Sequence, residues 1–127
     1  MVELDVQAGR DLLEALVTAR FPVELAFWQQ EDESNIWRLV LATPEVDAVG
    51  HSRTYEKVQE LLSGLKLSID LPDVRVISPN DQLAVLVSGM SRLSGLKRGI
   101  RLGESYVGPF HFGGLYIYEP LVTAAHP

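Results

Sequence analysis

The sequence predicts an α+β chain: one two-layer domain in which three helices lie mainly over one face of a mixed sheet of about five strands. Three observations predict it. Apolar residues recur at helical spacing in three separate segments and at every second position in others. Two strand-like runs near the N-terminus are joined by a polar loop, which reads as a hairpin. A helix, a short strand and a further helix then precede two closing strands, so the order is α-β-β-α-β-α-β-β, with no internal repeat.

The first helix is expected over about Asp5 to Arg20. Asp5 is a suitable N-cap, Leu12, Leu13, Leu16 and Val17 form one apolar stripe, and Arg20 suits the negative end of the helix dipole. Phe21-Pro22 ends it. The first strand, Val23 to Gln29, alternates Val23, Leu25 and Phe27 with Glu24, Ala26 and Trp28. The second, Ile36 to Ala42, places Trp37, Leu39 and Leu41 on one face. Thr43-Pro44 breaks it, and a loop leads to a second helix from about Ser52 to Leu65. There Glu56 and Glu60 are like charges one turn apart, and Gly64 marks the end.

Leu67 to Leu71 is extended but interrupted by Pro72, and Val74 to Ile77 is a short strand. Ser78-Pro79-Asn80-Asp81 reads as a helix start with Ser78 as N-cap, and the helix continues through Leu83, Leu86, Val87, Met90 and Leu93 to Gly95. Ile100 to Val107 and Phe110 to Tyr118 are the closing strands, with Gly108-Pro109 as the turn. Gly113-Gly114 interrupts the last one. The domain is expected to fill residues 1–120, with 121–127 a frayed tail.

The chain has 127 residues, 46% hydrophobic and 22% charged, which excludes a disordered, collagen-like or membrane-embedded protein. The absence of cysteine excludes disulfides, thiol nucleophiles and iron–sulfur clusters. No secretory signal pattern opens the sequence, so a cytoplasmic location is expected. Charge is uneven. Residues 1–60 carry twelve acids and five bases, residues 61–127 five acids and six bases. The overall charge of −6 disfavours nucleic acid as a partner.

The segments Ala26-Phe27-Trp28, Trp37 to Pro44, Val76 to Asp81 and Tyr116-Ile117-Tyr118 resemble a family of small uncharacterised bacterial proteins. That resemblance spans most of the chain and implies a bacterial, cytoplasmic, single-domain protein. It implies no activity and no catalytic residues.

Several residues are candidates for chemistry. His111 lies between Phe110 and Phe112, where an imidazole can act as a base or ligand contact near neutral pH; its structural alternative is a strand histidine facing water. Asp70, Asp73 and Asp81 form the best carboxylate set for a hard cation, and turn and cap chemistry explains the same positions. His51, His111 and His126 lack metal-ligand spacing, so no metal and no cofactor is expected. Arg92, Lys97, Arg98 and Arg101 form a basic stretch suited to an anion or an acidic partner, or simply to a solvated surface.

The late aromatics are the strongest signal. In a continuous last strand, Phe110, Phe112, Tyr116 and Tyr118 share one face while Leu115 and Ile117 occupy the other. With Tyr106, and with Trp28 opposing Phe27, this is more apolar surface than a sheet covered on one side can bury. Either the Gly-Gly pair resets the strand or a partner covers the second face. The leading expectation is therefore a non-enzymatic module that self-associates as a homodimer. The alternatives are a metal-assisted phosphate hydrolase using Asp70, Asp73 and His111 with Arg98 and Arg101 on the anion, and a small-molecule sensor with a pocket lined by Tyr106, Tyr116 and Trp28.

Overall fold

The computed structural model describes residues 5–30, 36–93 and 100–118. Helix α1 (Val6–Thr18) starts where expected: the Asp5 carboxylate accepts the Ala8 N–H at 2.9 Å. It ends two residues before Arg20. Arg20 takes a left-handed conformation (φ 59°), the Arg20 N–H bonds the Val17 carbonyl and the Phe21 N–H reaches back to that of Leu16. This is a Schellman closure with arginine in place of the usual glycine. Arg20 thus terminates α1 from outside it, and no basic residue lies in the last helical turn.

Strands β1 (Leu25–Gln30) and β2 (Trp37–Ala42) form the expected antiparallel hairpin, with Trp28 opposite Leu39. Helix α2 (Glu45–Ser63) begins seven residues earlier than its apolar stripe suggests. The Glu45 N–H bonds Thr43 Oγ1 at 3.2 Å, and Gly50 (φ 87°) supplies a kink that the apolar spacing alone does not reveal. Lys57 bridges the kink to Glu45 at 2.7 Å. Residues 67–70, expected to be extended, join no strand, and a 3-10 turn (Leu71–Asp73) leads directly into strand β3 (Val74–Ile77).

Helix α3 (Gln82–Leu93) is capped by Asp81, whose Oδ1 accepts the Leu83 N–H at 2.9 Å. Ser78, the expected cap, instead accepts the Asn80 N–H and donates to Asp47, so Pro79 lies in the preceding turn.

The final third departs most from expectation. Its described residues hold four short strands, β4 (Ile100–Leu102), β5 (Ser105–Val107), β6 (Phe110–Phe112) and β7 (Gly114–Ile117). The main sheet runs β3-β2-β1-β7-β4, with β2 and β3 parallel and the other pairs antiparallel. The β5–β6 hairpin is a separate two-stranded sheet. Its turn needs glycine: Gly108 has φ 58°, and a Cβ there would lie 2.6 Å from Leu86 of α3.

Helices do not collect on one face, so two layers become three. Strand alternation assigns Ala26, Trp28, Leu39, Leu41, Val74, Val76 and Tyr118 to a core with Leu12 and Leu16 of α1 and Val58 and Leu62 of α2. Phe27, Val40, Ala42, Ile77, Leu115 and Ile117 form a second core with Leu83, Ala84 and Val87 of α3 and with Val107 and Phe112 of the hairpin. A sheet covered on both faces requires apolar residues on both, which is why alternation is blurred in β1 and β7. The last strand is also broken. The Gly113 N–H bonds the Gln30 carbonyl at 3.0 Å, β6 leaves the main sheet, and Phe112 and Tyr118 enter different cores. No helix among the described residues is long and apolar enough to cross a membrane.

Candidate functional site

The rings that suggested a partner are mostly covered within the chain. Trp28 is fully buried beneath α1, where its indole N–H donates to the Tyr118 hydroxyl at 2.8 Å. That hydroxyl donates in turn to the Val6 carbonyl at 2.8 Å. Burial pushes the Tyr118 phenol above its ordinary range, against the lowering effect of the Trp28 bond. Arg10 lies over the Tyr118 ring at 5.6 Å, and Tyr116 meets Tyr118 edge-on at 5.1 Å. Phe112 is buried and Phe110, half-buried, stacks beside it.

Tyr106 is the exception. It is 75% exposed, the most exposed of the large apolar or aromatic side chains described. On β5 it faces His111 of β6, with ring centroids 4.4 Å apart. Alternation sends Val107, Phe110 and Phe112 to the inner face of the hairpin and Tyr106 and His111 to the outer one. Glu104 flanks them, its carboxylate 3.5 Å from His111 Nε2. The outer face of β5–β6 thus presents the exposed Tyr106 phenol and Glu104 carboxylate beside a His111 imidazole whose Nε2 is covered, on a hairpin that the second core holds from below.

Asp70 and Asp73 bracket the 3-10 turn, where the Asp70 N–H bonds the Asp73 carboxylate at 3.0 Å. Asp81 caps α3. Asp73 ends the 3-10 turn before β3, an edge strand of the main sheet, whereas His111 lies on the separate β5–β6 sheet. Among the described residues no group of three or more His, Asp or Glu side chains is placed to hold a metal ion. The three aromatics expected to line one pocket are separated by the sheet: Trp28 and Tyr116 belong to the α1–α2 side, while the Tyr106 hairpin packs on the α3 side. His51 lies exposed on α2. Arg92 lies in α3 and Arg101 in β4, whereas Lys97, Arg98 and His126 fall outside the described residues.

Two features escaped sequence reasoning. One is the Trp28–Tyr118 bond beneath α1, for which the single available signal is a glycine, Gly9, inside an otherwise regular helix. The other is Gln29, a polar residue at a core-facing position of β1. It is only 7% exposed, and its side-chain carbonyl has no hydrogen-bond partner.

Asp5 also does more than cap α1. It accepts the Ser68 hydroxyl at 2.7 Å, tying α1 to the segment after α2. The Ser68 bond, then the Ala8 N–H, hold the carboxyl below its usual value. A lowered folded pKa contributes stability that is complete above the ordinary value and lost as pH falls through the folded one. Asp5→Ala is expected to cost about 1 kcal/mol at neutral pH, and the gap from the parent chain should narrow below about pH 4. Urea unfolding at the two pH values checks this.

The chain is thus an α+β protein with a mixed sheet enclosed between helices on both faces and a short appended hairpin. No family model, no curated protein and no solved structure matches it.

Proposed function

We propose that the chain is a non-enzymatic interaction module that pairs with a second copy of itself through the outer face of the β5–β6 hairpin. The exposure of Tyr106 carries this reading. Tyrosine gives a large contact area at small conformational cost and is enriched at protein interfaces. The tilted His111 ring against Tyr106 and the inner-face residues Val107 and Phe112 restrain the hairpin, so little order has to be imposed on binding. The acid-rich first sixty residues and the basic stretch from Arg92 to Arg101 give two copies complementary charge.

Light scattering across micromolar concentrations tests the proposal. The parent chain should have the mass of two copies, and Tyr106→Ala should dissociate about thirtyfold more readily, as for loss of an interface hot spot of about 2 kcal/mol. A parent mass of one copy throughout would overturn it.

A further inference from the structure

Among the described strands the main sheet ends on β3, which pairs on one side only, with β2. An edge strand presents backbone donors and acceptors with which another chain can pair. One bond fixes which groups those are. The Ile77 carbonyl accepts the Thr43 N–H, just past the end of β2, at 2.9 Å. Backbone groups alternate sides along a strand, so Arg75 and Ile77 aim theirs at β2 while Val74 and Val76 aim theirs outward. Both outward N–H groups are already engaged. That of Val74 bonds the Leu71 carbonyl of the 3-10 turn, and that of Val76 bonds the Tyr55 hydroxyl of α2 at 3.1 Å.

Two further features act on this edge. Pro72 and Pro79 flank β3 and cannot donate to a ladder, which confines pairing to its four residues. Within those four, one antiparallel register with a second β3 joins outward residues twice: Val74 meets Val76 of the second copy, and Val76 meets Val74. That register sets Arg75 directly opposite Arg75, and opposed like charges destabilise a strand pair. We propose that the Tyr55 hydroxyl and Arg75 form an autoinhibitory guard that keeps β3 from pairing with β3 of a second copy. The hydroxyl occupies a donor that the added strand needs, and the arginines repel in the register that would use it. A second copy is the partner held off, because a twofold axis through Arg75 makes this edge complementary to itself. The guard is independent of the hairpin contact and acts whether or not that contact forms.

Hydrogen exchange of the full chain tests the hydroxyl. Tyr55→Phe keeps the ring that packs against the α1–α2 core and removes only the acceptor. The Val76 amide should then exchange about tenfold faster, as for loss of one hydrogen bond, while amides in β1 and β2 keep their protection. Light scattering and infrared spectroscopy test the edge, in a Tyr106→Ala background at concentrations where that variant has the mass of one copy. Tyr55→Phe with Arg75→Thr should assemble and gain the infrared band of intermolecular strands. Tyr55→Phe with Arg75→Lys should keep the mass of one copy, because lysine restores the like charge; this separates edge pairing from a general loss of stability. An unchanged Val76 exchange rate, a threonine double variant that stays at one copy, or a lysine double variant that assembles equally would each overturn the proposal.

Discussion

Gly9→Ala is expected to destabilise the protein by about 3 kcal/mol, a loss of about 10 °C in melting temperature for a chain of this size. The same change normally favours a helix by up to ~1 kcal/mol. Here a Cβ would overlap the Tyr118 hydroxyl and lie 3.0 Å from Trp28 Nε1. Displacing that hydroxyl separates the indole N–H from its acceptor and the Val6 carbonyl from its donor, while Trp28 stays buried. Each orphaned buried group adds a desolvation penalty to the steric one. Gly89→Ala in α3 is the matched control, because no atom lies within 4 Å of the added methyl. It should be neutral or slightly stabilising. Thermal unfolding followed by circular dichroism separates the two, and a Gly9→Ala protein as stable as its parent would show that α1 does not rest on this contact.

The example shows what a sequence can and cannot disclose. The N-terminal hairpin is legible because the polar loop and flanking alternation are local. The Asp5 cap is legible for the same reason. Gly50 and Gly108 act through backbone conformations, and their left-handed angles are not encoded in hydrophobic spacing. The closing segment misleads because its rings form one stripe only if Gly113 continues the strand. Its N–H bonds Gln30 across the sheet instead, and that long-range pairing splits the stripe between two cores. The apparent surplus of aromatics is thus the mark of a sheet covered twice by its own chain. Tyr106 alone among the late rings keeps the exposure that a partner surface requires.

Tyr118→Phe should change both the stability and its dependence on alkaline pH. At pH 7 the substitution removes one hydroxyl that serves as acceptor for Trp28 and donor to Val6, so a cost of about 2 kcal/mol is expected with little change in volume. Above pH 10 the difference should shrink. In the unfolded chain the phenol ionises near its ordinary value of about 10. In the folded chain desolvation raises its pKa, and the like charge of Tyr116 on ionisation acts in the same direction; the Trp28 bond and Arg10 only partly offset them. The native state therefore retains a proton that the unfolded state releases. The associated stability is complete below pH 10 and declines as pH rises towards the folded pKa, by at most about 1.4 kcal/mol per pH unit for one group. Phenylalanine has no such proton. Taking the difference between parent and variant removes what is common to both chains and leaves Tyr118 together with its coupling to Tyr116. Urea unfolding at pH 7, 10 and 11 should show the parent losing its advantage stepwise. A difference that stays constant across that range would mean that the buried hydroxyl ionises as easily in the folded chain as in water, which is incompatible with the Trp28–Tyr118–Val6 chain as a sealed contact beneath α1.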